Sequence, residues 1–479
     1  MESSAHTPDP RRWQALALVC VAFFMTVLDV SIVNVALPSI KESLNVNESS
    51  LQWVLIAYTI TFGGLLLLGG RAADLLGRRR MFMVGMTIFA AASLACGLAG
   101  SIGVLIAARA VQGVGAAIIS PATLSIITTT FEEGAERNKA LGIWGAMGGS
   151  GAAAGVLFGG ILTKYAGWEW VFFVNVPVGV LVLALTRSVV RESRVTGMKG
   201  FDVAGAVTIT GSLALLVYAI SKAPDVGWGS ARTIGFLVAS AVLLVAFIVI
   251  EKRQANPMVP FRIFRTKTVT GANVAGFLLG AVVFANFFLL TLYVQQVLGY
   301  SALKTGLTFL FTAGTVIPVA GISQALVTRY GPRPIMAIGL TLITIGMVWY
   351  SQIPVHANFW TDLLPGYLLV GVGMAFSFIP MSIAALAGVA PDEAGLASGL
   401  INTSQQIGGA LGVAIASTVA FTHANTLLGS GHAQDVALTS GFALGFWVCA
   451  GFGAAAAVAT LALVRSEEVA VEPTAVAVS

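Results

Sequence analysis

Charge is scarce in this chain of 479 residues: Asp, Glu, Lys and Arg make up 10%, against 57% hydrophobic residues, and mean hydropathy is +0.89. A soluble domain carries about 25% charged residues and needs no such apolar excess to fill its core, so a water-soluble enzyme or binding module is excluded. Cysteine is nearly absent. Cys20, Cys96 and Cys449 lie in apolar runs with no CxxC or other ligand spacing, which excludes a disulfide framework and a cysteine metal site. The four histidines, His6, His356, His423 and His432, are scattered over the N-terminal tail and the connections and build no metal site. No glycine-rich segment is followed by Gly-Lys-Ser/Thr, so no nucleotide-binding loop is expected, and with it no ATP and no other cofactor. No nucleophile, base and orienting residue recur at a common depth, so catalysis is not expected either.

What remains is a polytopic all-α membrane protein. Fourteen apolar spans run near 13 to 37, 50 to 69, 81 to 100, 102 to 122, 140 to 162, 171 to 190, 203 to 221, 232 to 250, 269 to 292, 303 to 326, 334 to 353, 362 to 386, 396 to 420 and 439 to 464. At about 1.5 Å per residue each crosses a hydrocarbon core of about 30 Å, and segments of that length mean helices, not a barrel. Arg11 and Arg12 ahead of the first run resemble a signal peptide, but no small-residue cleavage site follows, so this run reads as a retained span. Twenty of the 26 Lys and Arg fall in the N-terminal tail and alternate connections. Lys41, Lys164, Lys222, Arg232 and Lys304 lie on the other side, and Arg109 lies inside a span. The positive-inside rule then places both termini in the cytoplasm and the protein in the cell (inner) membrane. The net charge of +5 is thus a topology signal and not a sign of nucleic-acid binding.

The chemistry sits where charge interrupts the apolar runs. Asp29 follows Ala15 to Leu28, which carry no charge, and a carboxylate there costs about 2.5 to 3.5 kcal/mol to insert, so it should face a protein interior or a wet cavity. Arg109 in the fourth span falls at a similar depth, each roughly 10 to 12 Å below the outer end of its span. A buried arginine stays charged and needs a partner; if access alternately strengthens and weakens an Asp29–Arg109 pair, the carboxylate can take up a proton in one state and release it in another. The alternative is a structural ion pair. Gly151, Gly155 and Gly159 recur every four residues in the fifth span, the spacing of a close helix–helix approach. Aromatic and amide side chains, Tyr58 in the second span and Phe284, Asn286, Phe287, Tyr293 and Gln296 in the ninth, have the composition of a pocket for amphipathic molecules, to which Asn34 and Gln112 are added.

Two connections divide the chain. Gly70 to Arg80 contains Gly70, Asp74, Gly77 and Arg78, and Thr328 to Arg333 repeats it in degraded form when Gly77 is set against Gly331. This predicts two six-helix bundles, residues 13 to 190 and 256 to 465, with an inserted two-helix segment at 191 to 255 and tails at 1 to 12 and 466 to 479. Asp74 is expected to cap a helix N-terminus at this connection.

Gly70 to Arg80 resembles the loop signature of the major facilitator superfamily, and the fourteen spans resemble its drug/proton antiporter branch. Leu28 to Pro38, Arg109 to Gly115, Trp168 to Pro177, Leu290 to Tyr300 and Ala394 to Gly409 agree with that branch. Two positions depart from it: Gly155-Val156 stands where antiporters of the family carry Gly-Pro, and Lys304 stands where relatives often carry an acid. The resemblance implies proton coupling through Asp29 and Arg109, gating through Gly70, Asp74, Gly77 and Arg78 as a latch between the halves, and proton-driven export of drugs or antibiotics by a monomer. Alternatives are a dedicated exporter of one endogenous product, such as an antibiotic, lipid or siderophore, or a non-transporting sensor on the same scaffold.

Overall fold

In hydrocarbon a backbone N–H or C=O finds no water, so each apolar run must close its own hydrogen bonds as a helix. The computed structural model describes residues 10–132, 135–194, 202–254, 257, 259, 261–387, 389 and 394–465. Most of both expected tails, and the connection at 195–201, lie outside the described residues. The long helices are α1 (Arg12–Leu44), α2 (Trp53–Leu76), α3 (Arg78–Gly97), α4 (Ile102–Thr130), α5 (Ala135–Tyr165), α6 (Trp170–Val189) and α7 (Val203–Val226). They continue as α8 (Ala231–Arg253), α9 (Lys267–Val297), α10 (Ala302–Tyr330), α11 (Pro332–Tyr350), α12 (Phe359–Ala385), α13 (Ala394–Gly429) and α14 (Gln434–Leu463). Thirteen of them are long and apolar enough to cross a membrane by length and composition among the described residues, and α5, at 31 residues, completes the expected fourteen.

Capping side chains explain several starts: Ser101, Asp202, Ser230 and Ser301 each accept a backbone N–H three residues on. Helices overrun the apolar runs that announce them. α1 spans 33 residues, because its hydrogen-bond ladder continues into the interface where polar residues return.

Packing groups the helices into two sets of six. In the first bundle α1 packs on α5 and α6, α2 on α4, and α3 on α4 and α6. In the second, α9 packs on α13 and α14, α10 on α12, and α11 on α12 and α14, the same pairs eight helices later. The bundles meet chiefly through α5 against α10 and α2 against α13, with smaller contacts of α1 on α9 and α10. The inserted pair α7 and α8 holds itself together by reciprocal bonds, Ser212 Oγ donating to the Ser240 carbonyl and Ser240 Oγ to the Ser212 carbonyl, both at 2.8 Å. α7 then lies against α2 and α13, over the seam between bundles. Val238, Val242 and Val245 of α8 stay exposed, which in a membrane means lipid.

The close approaches are made by glycine. A Cβ on Gly155 would come within 2.7 Å of the Leu28 carbonyl, on Gly159 within 2.8 Å of the Ile32 carbonyl, and on Gly151 within 3.1 Å of the Phe24 carbonyl. The α5 stripe therefore seats on α1 around Asp29. In the second bundle Gly408 and Gly412 of α13 do the same against Phe277 and Ala281 of α9.

Candidate functional site

Asp29 and Arg109 are both fully buried, from the middle of α1 and the first third of α4, and Arg109 Nη1 lies 2.5 Å from Asp29 Oδ2. The acid has three donors in all, since its Oδ1 also accepts from Gln112 Nε2 at 2.8 Å and from Asn175 Nδ2 at 3.0 Å. Arg109 in turn donates through Nε to the Val54 carbonyl at 3.0 Å and through Nη1 to Gln112 Oε1 at 2.7 Å. Its guanidinium lies 4.3 Å from the centroid of the Tyr58 ring, a cation–π contact. Ser93 Oγ accepts from both Gln112 and Asn175 and donates to the Phe172 carbonyl, closing the network. A buried ion pair is held when its remaining donors and acceptors are met; four helices besides α1 meet most of them here, leaving Arg109 Nη2 and Asn175 Oδ1 buried without a hydrogen-bond partner.

Sequence reasoning placed Asp29 and Arg109 at one depth, and the structure brings them into contact. Ser93 and Asn175 were not singled out for the site. Tyr58 and Gln112, expected in a substrate pocket, stand instead against the pair, Tyr58 with its hydroxyl donating to the Thr26 carbonyl at 3.4 Å. Asn34, one and a half turns further along α1, donates to the Val30 carbonyl and leaves its buried oxygen without a partner.

The α9 residues separate into two groups. Phe284 and Phe287 are half-buried; Phe287 stacks on Phe309 of α10 at 4.9 Å and Phe284 packs over Gly409 of α13. Asn286 is buried with its amide oxygen unpartnered, and Gln296 is half-buried with neither amide atom hydrogen-bonded. Tyr293 is sealed in the core, donating to the Pro354 carbonyl at 2.7 Å with Phe442 edge-on.

At the connection after α2, Asp74 Oδ1 accepts from Arg78 at 2.9 and 3.1 Å and from Ser125 Oγ of α4 at 3.2 Å. The expected cap at the start of α3 is a correction: the carboxylate there belongs to Glu192, which accepts the backbone N–H groups of Arg79 and Arg80, both at 3.1 Å. Asp74 sits in the last turn of α2, too early to reach them. Gly77 adopts φ +109°, a conformation L side chains rarely take, and Gly331 at the degraded repeat adopts φ +79°. The parallel goes further. Arg79 donates to the Val190 carbonyl just past α6, and Arg333 donates to the Leu461 carbonyl at the end of α14. Gly70 faces Pro121 of α4, so the contacts of Gly70, Asp74, Arg78 and Arg79 stay within the first bundle, and that of Arg333 stays within the second.

At the start of α5 Arg12 Nε lies 3.0 Å from Glu136, and that hydrogen bond holds the Glu136 carboxyl below its usual range. Among the described residues no group of three His, Cys, Asp or Glu comes together.

A sequence profile of the Major Facilitator Superfamily matches residues 19–413. The chain is 39% identical to the puromycin resistance protein pur8 of Streptomyces alboniger over 456 residues, 94% of this chain and 90% of that protein. It is 40% identical to the cephamycin export protein CmcT of Amycolatopsis lactamdurans over 85% of this chain and 84% of that protein. The multidrug resistance protein Stp of Mycobacterium tuberculosis is 36% identical, with 85% and 76% covered. Among solved structures, a D-xylose-proton symporter matches with TM-score 0.66 at 15% identity, over 96% of this chain and 99% of that one. An inward-facing bacterial homologue of the lysosomal transporter Spinster matches with TM-score 0.67 at 16% identity, over 97% and 99%.

Proposed function

Because the chain belongs to the Major Facilitator Superfamily, we propose that it exports antibiotics or other amphipathic small molecules in exchange for protons, with Asp29 as the proton carrier. It is a multi-pass membrane transporter and not an enzyme. The observation that carries the coupling is the buried Asp29–Arg109 pair, a charge-compensated carboxylate placed inside a membrane-length helix. A proton on Asp29 cancels its charge and weakens its hold on Arg109, Gln112 and Asn175, so protonation is linked to the packing of α1 against α4 and α6. The glycine stripe of α5 provides a smooth surface along which α1 can shift as that happens.

Phe284 and Phe287, with the amides of Asn286 and Gln296, are the proposed substrate surface of the second bundle, and Asn34 its counterpart on α1. Gly70, Asp74, Gly77 and Arg78 are the proposed gating connection, acting by fixing α2 and α3 to α4 so that the first bundle moves as one body. The proposed bodies are residues 13 to 190 and 256 to 465, with 191 to 255 as the inserted segment. The excess of Lys and Arg at alternate connections supports an inner-membrane location with both termini cytoplasmic. The seam covered by α7 is consistent with a monomer.

The names of the relatives favour a second reading beside the first. pur8 and CmcT are named for one compound each and Stp for many, so export of a single antibiotic stands beside broad efflux.

The test uses proteoliposomes loaded with a pH-sensitive dye under an imposed pH gradient, with puromycin, neutral antibiotics and lipophilic cations added in turn. Substrate-dependent proton flux is expected, and it should vanish in Asp29→Asn. Flux that survives in Asp29→Asn moves coupling to another residue; no flux with any compound counts against antiport of these classes.

A further inference from the structure

Three arginines follow one another at the start of α3, and two are spoken for. Arg78 pairs with Asp74 and Arg79 with Glu192. Arg80 is exposed, and its guanidinium makes no hydrogen bond or ion pair among the described residues; the same is true of Arg187 near the end of α6. Both line one open groove of about 340 Å³ whose remaining lining is Met83, Val84, Thr87 and Ile88. No acid lines it. Two like charges beside one groove repel, and the carboxylate nearby, Glu192, is taken by the Arg79 side chain and the backbone N–H groups of Arg79 and Arg80. From Arg80 to Ile88 the groove runs roughly 12 Å along α3, with Arg187 of α6 on its other side.

We propose that this groove binds an anionic phospholipid, its phosphate between Arg80 and Arg187 and an acyl chain along Val84 and Ile88. The pattern of a basic rim above an apolar trough, at the end of the bundle that carries the excess of Lys and Arg, matches a lipid lying in its own leaflet better than a free anion, which would have no use for the apolar floor. Lipid of the cytoplasmic leaflet follows from the orientation proposed above, while the site itself does not depend on the transport reading. α3 and α6 are joined here through Gly179, where a Cβ would come within 2.8 Å of Ala90, so the lipid bridges two helices of one bundle.

Native mass spectrometry of the full chain tests this, titrating phosphatidylglycerol, phosphatidylcholine with the same acyl chains, and glycerol phosphate alone. Wild type is expected to hold phosphatidylglycerol in preference to phosphatidylcholine. Arg80→Gln and Arg187→Gln should each weaken it about fivefold, and the pair together about 25-fold. Val84→Glu keeps both arginines, places a carboxylate in the apolar trough and should also lose the lipid; it decides the matter if the double variant fails to fold. Equal binding by wild type and the double variant, or by the two lipids, overturns the proposal. Glycerol phosphate binding as tightly as the lipid overturns the lipid as occupant.

Discussion

Arg109 is held by the Asp29 carboxylate, the Val54 carbonyl, Gln112 and the Tyr58 ring, which turns its removal into a question of charge. Taking away one member of a buried, hydrogen-bonded pair leaves the other uncompensated, at about 3 to 5 kcal/mol, whereas a neutral pair of similar shape costs far less. Arg109→Ala should therefore lower the thermal unfolding midpoint strongly in detergent. Asp29→Asn with Arg109→Gln should recover most of that loss while leaving proton coupling absent. A double variant as unstable as Arg109→Ala would show that Val54 and Tyr58, not the acid, account for the arginine's stabilising role. The same contrast explains what was legible. Asp29 and Arg109 stand out because a charge inside an apolar run has no cheap explanation, and Gln112 lies three residues from Arg109 on one helical face. Ser93 and Asn175 do not stand out, because small polar residues in spans commonly bond to their own helix, as Thr59 and Thr61 do here. Only the packing of α6 on α1 brings Asn175 to the acid, and only that of α3 on α4 and α6 brings Ser93 to the amides that hold it.

Helix pairs repeat the lesson at longer range. The stripe Gly151, Gly155, Gly159 is readable from its period alone, and α5 does lie on α1 through it. Gradation along the stripe gives a prediction: Gly155→Ala, whose Cβ would meet the Leu28 carbonyl at 2.7 Å, should cost about 1 to 3 kcal/mol, more than Gly151→Ala, where the nearest atom is at 3.1 Å. Gly100→Ala in the turn before α4, with open space around it, should fall within about 0.5 kcal/mol of wild type. Thermal unfolding of the three variants checks the order, and equal losses at Gly155 and Gly100 would remove the stripe as a contact surface. The connection after α2 was less legible. Gly77 and Gly331 align correctly as turn glycines, but Glu192 caps α3 from a polar segment 115 residues beyond Gly77, where neither period nor motif marks it.

Between the two bundles the described contacts of α1 and α5 gather at the end away from the termini, while α2 and α13 also meet along their length, Gly63 at Gln406 and Leu67 at Gly399. Ser417 of α13 donates to Gln52 ahead of α2, Gln295 Nε2 of α9 donates to the Val35 carbonyl of α1 at 3.0 Å, and α5 meets α10 where Val156 and Gly160 face Ala302, Leu303 and Gly306. Val156, in the place of the family's proline, is thus an interface residue: a Cβ on Gly306 would come within 2.6 Å of its carbonyl. Further along α10, Gly314 and Gly321 have open space beside them. Alternating access requires that this closed end part in another state, and small residues are what allow it to close again. Gly306→Leu should act as a wedge, favouring the parted state. The readout is Ala302→Cys, 8% exposed, labelled by a membrane-impermeant maleimide, with low background expected because Cys20, Cys96 and Cys449 are buried. Labelling should rise severalfold with Gly306→Leu and substrate-driven proton flux should fall, while Gly314→Leu on the same helix should change neither. If the wedge leaves Ala302 as protected as before, the bundles do not separate along α5 and α10, and the moving boundary must be sought at α2 and α13 beneath the inserted pair.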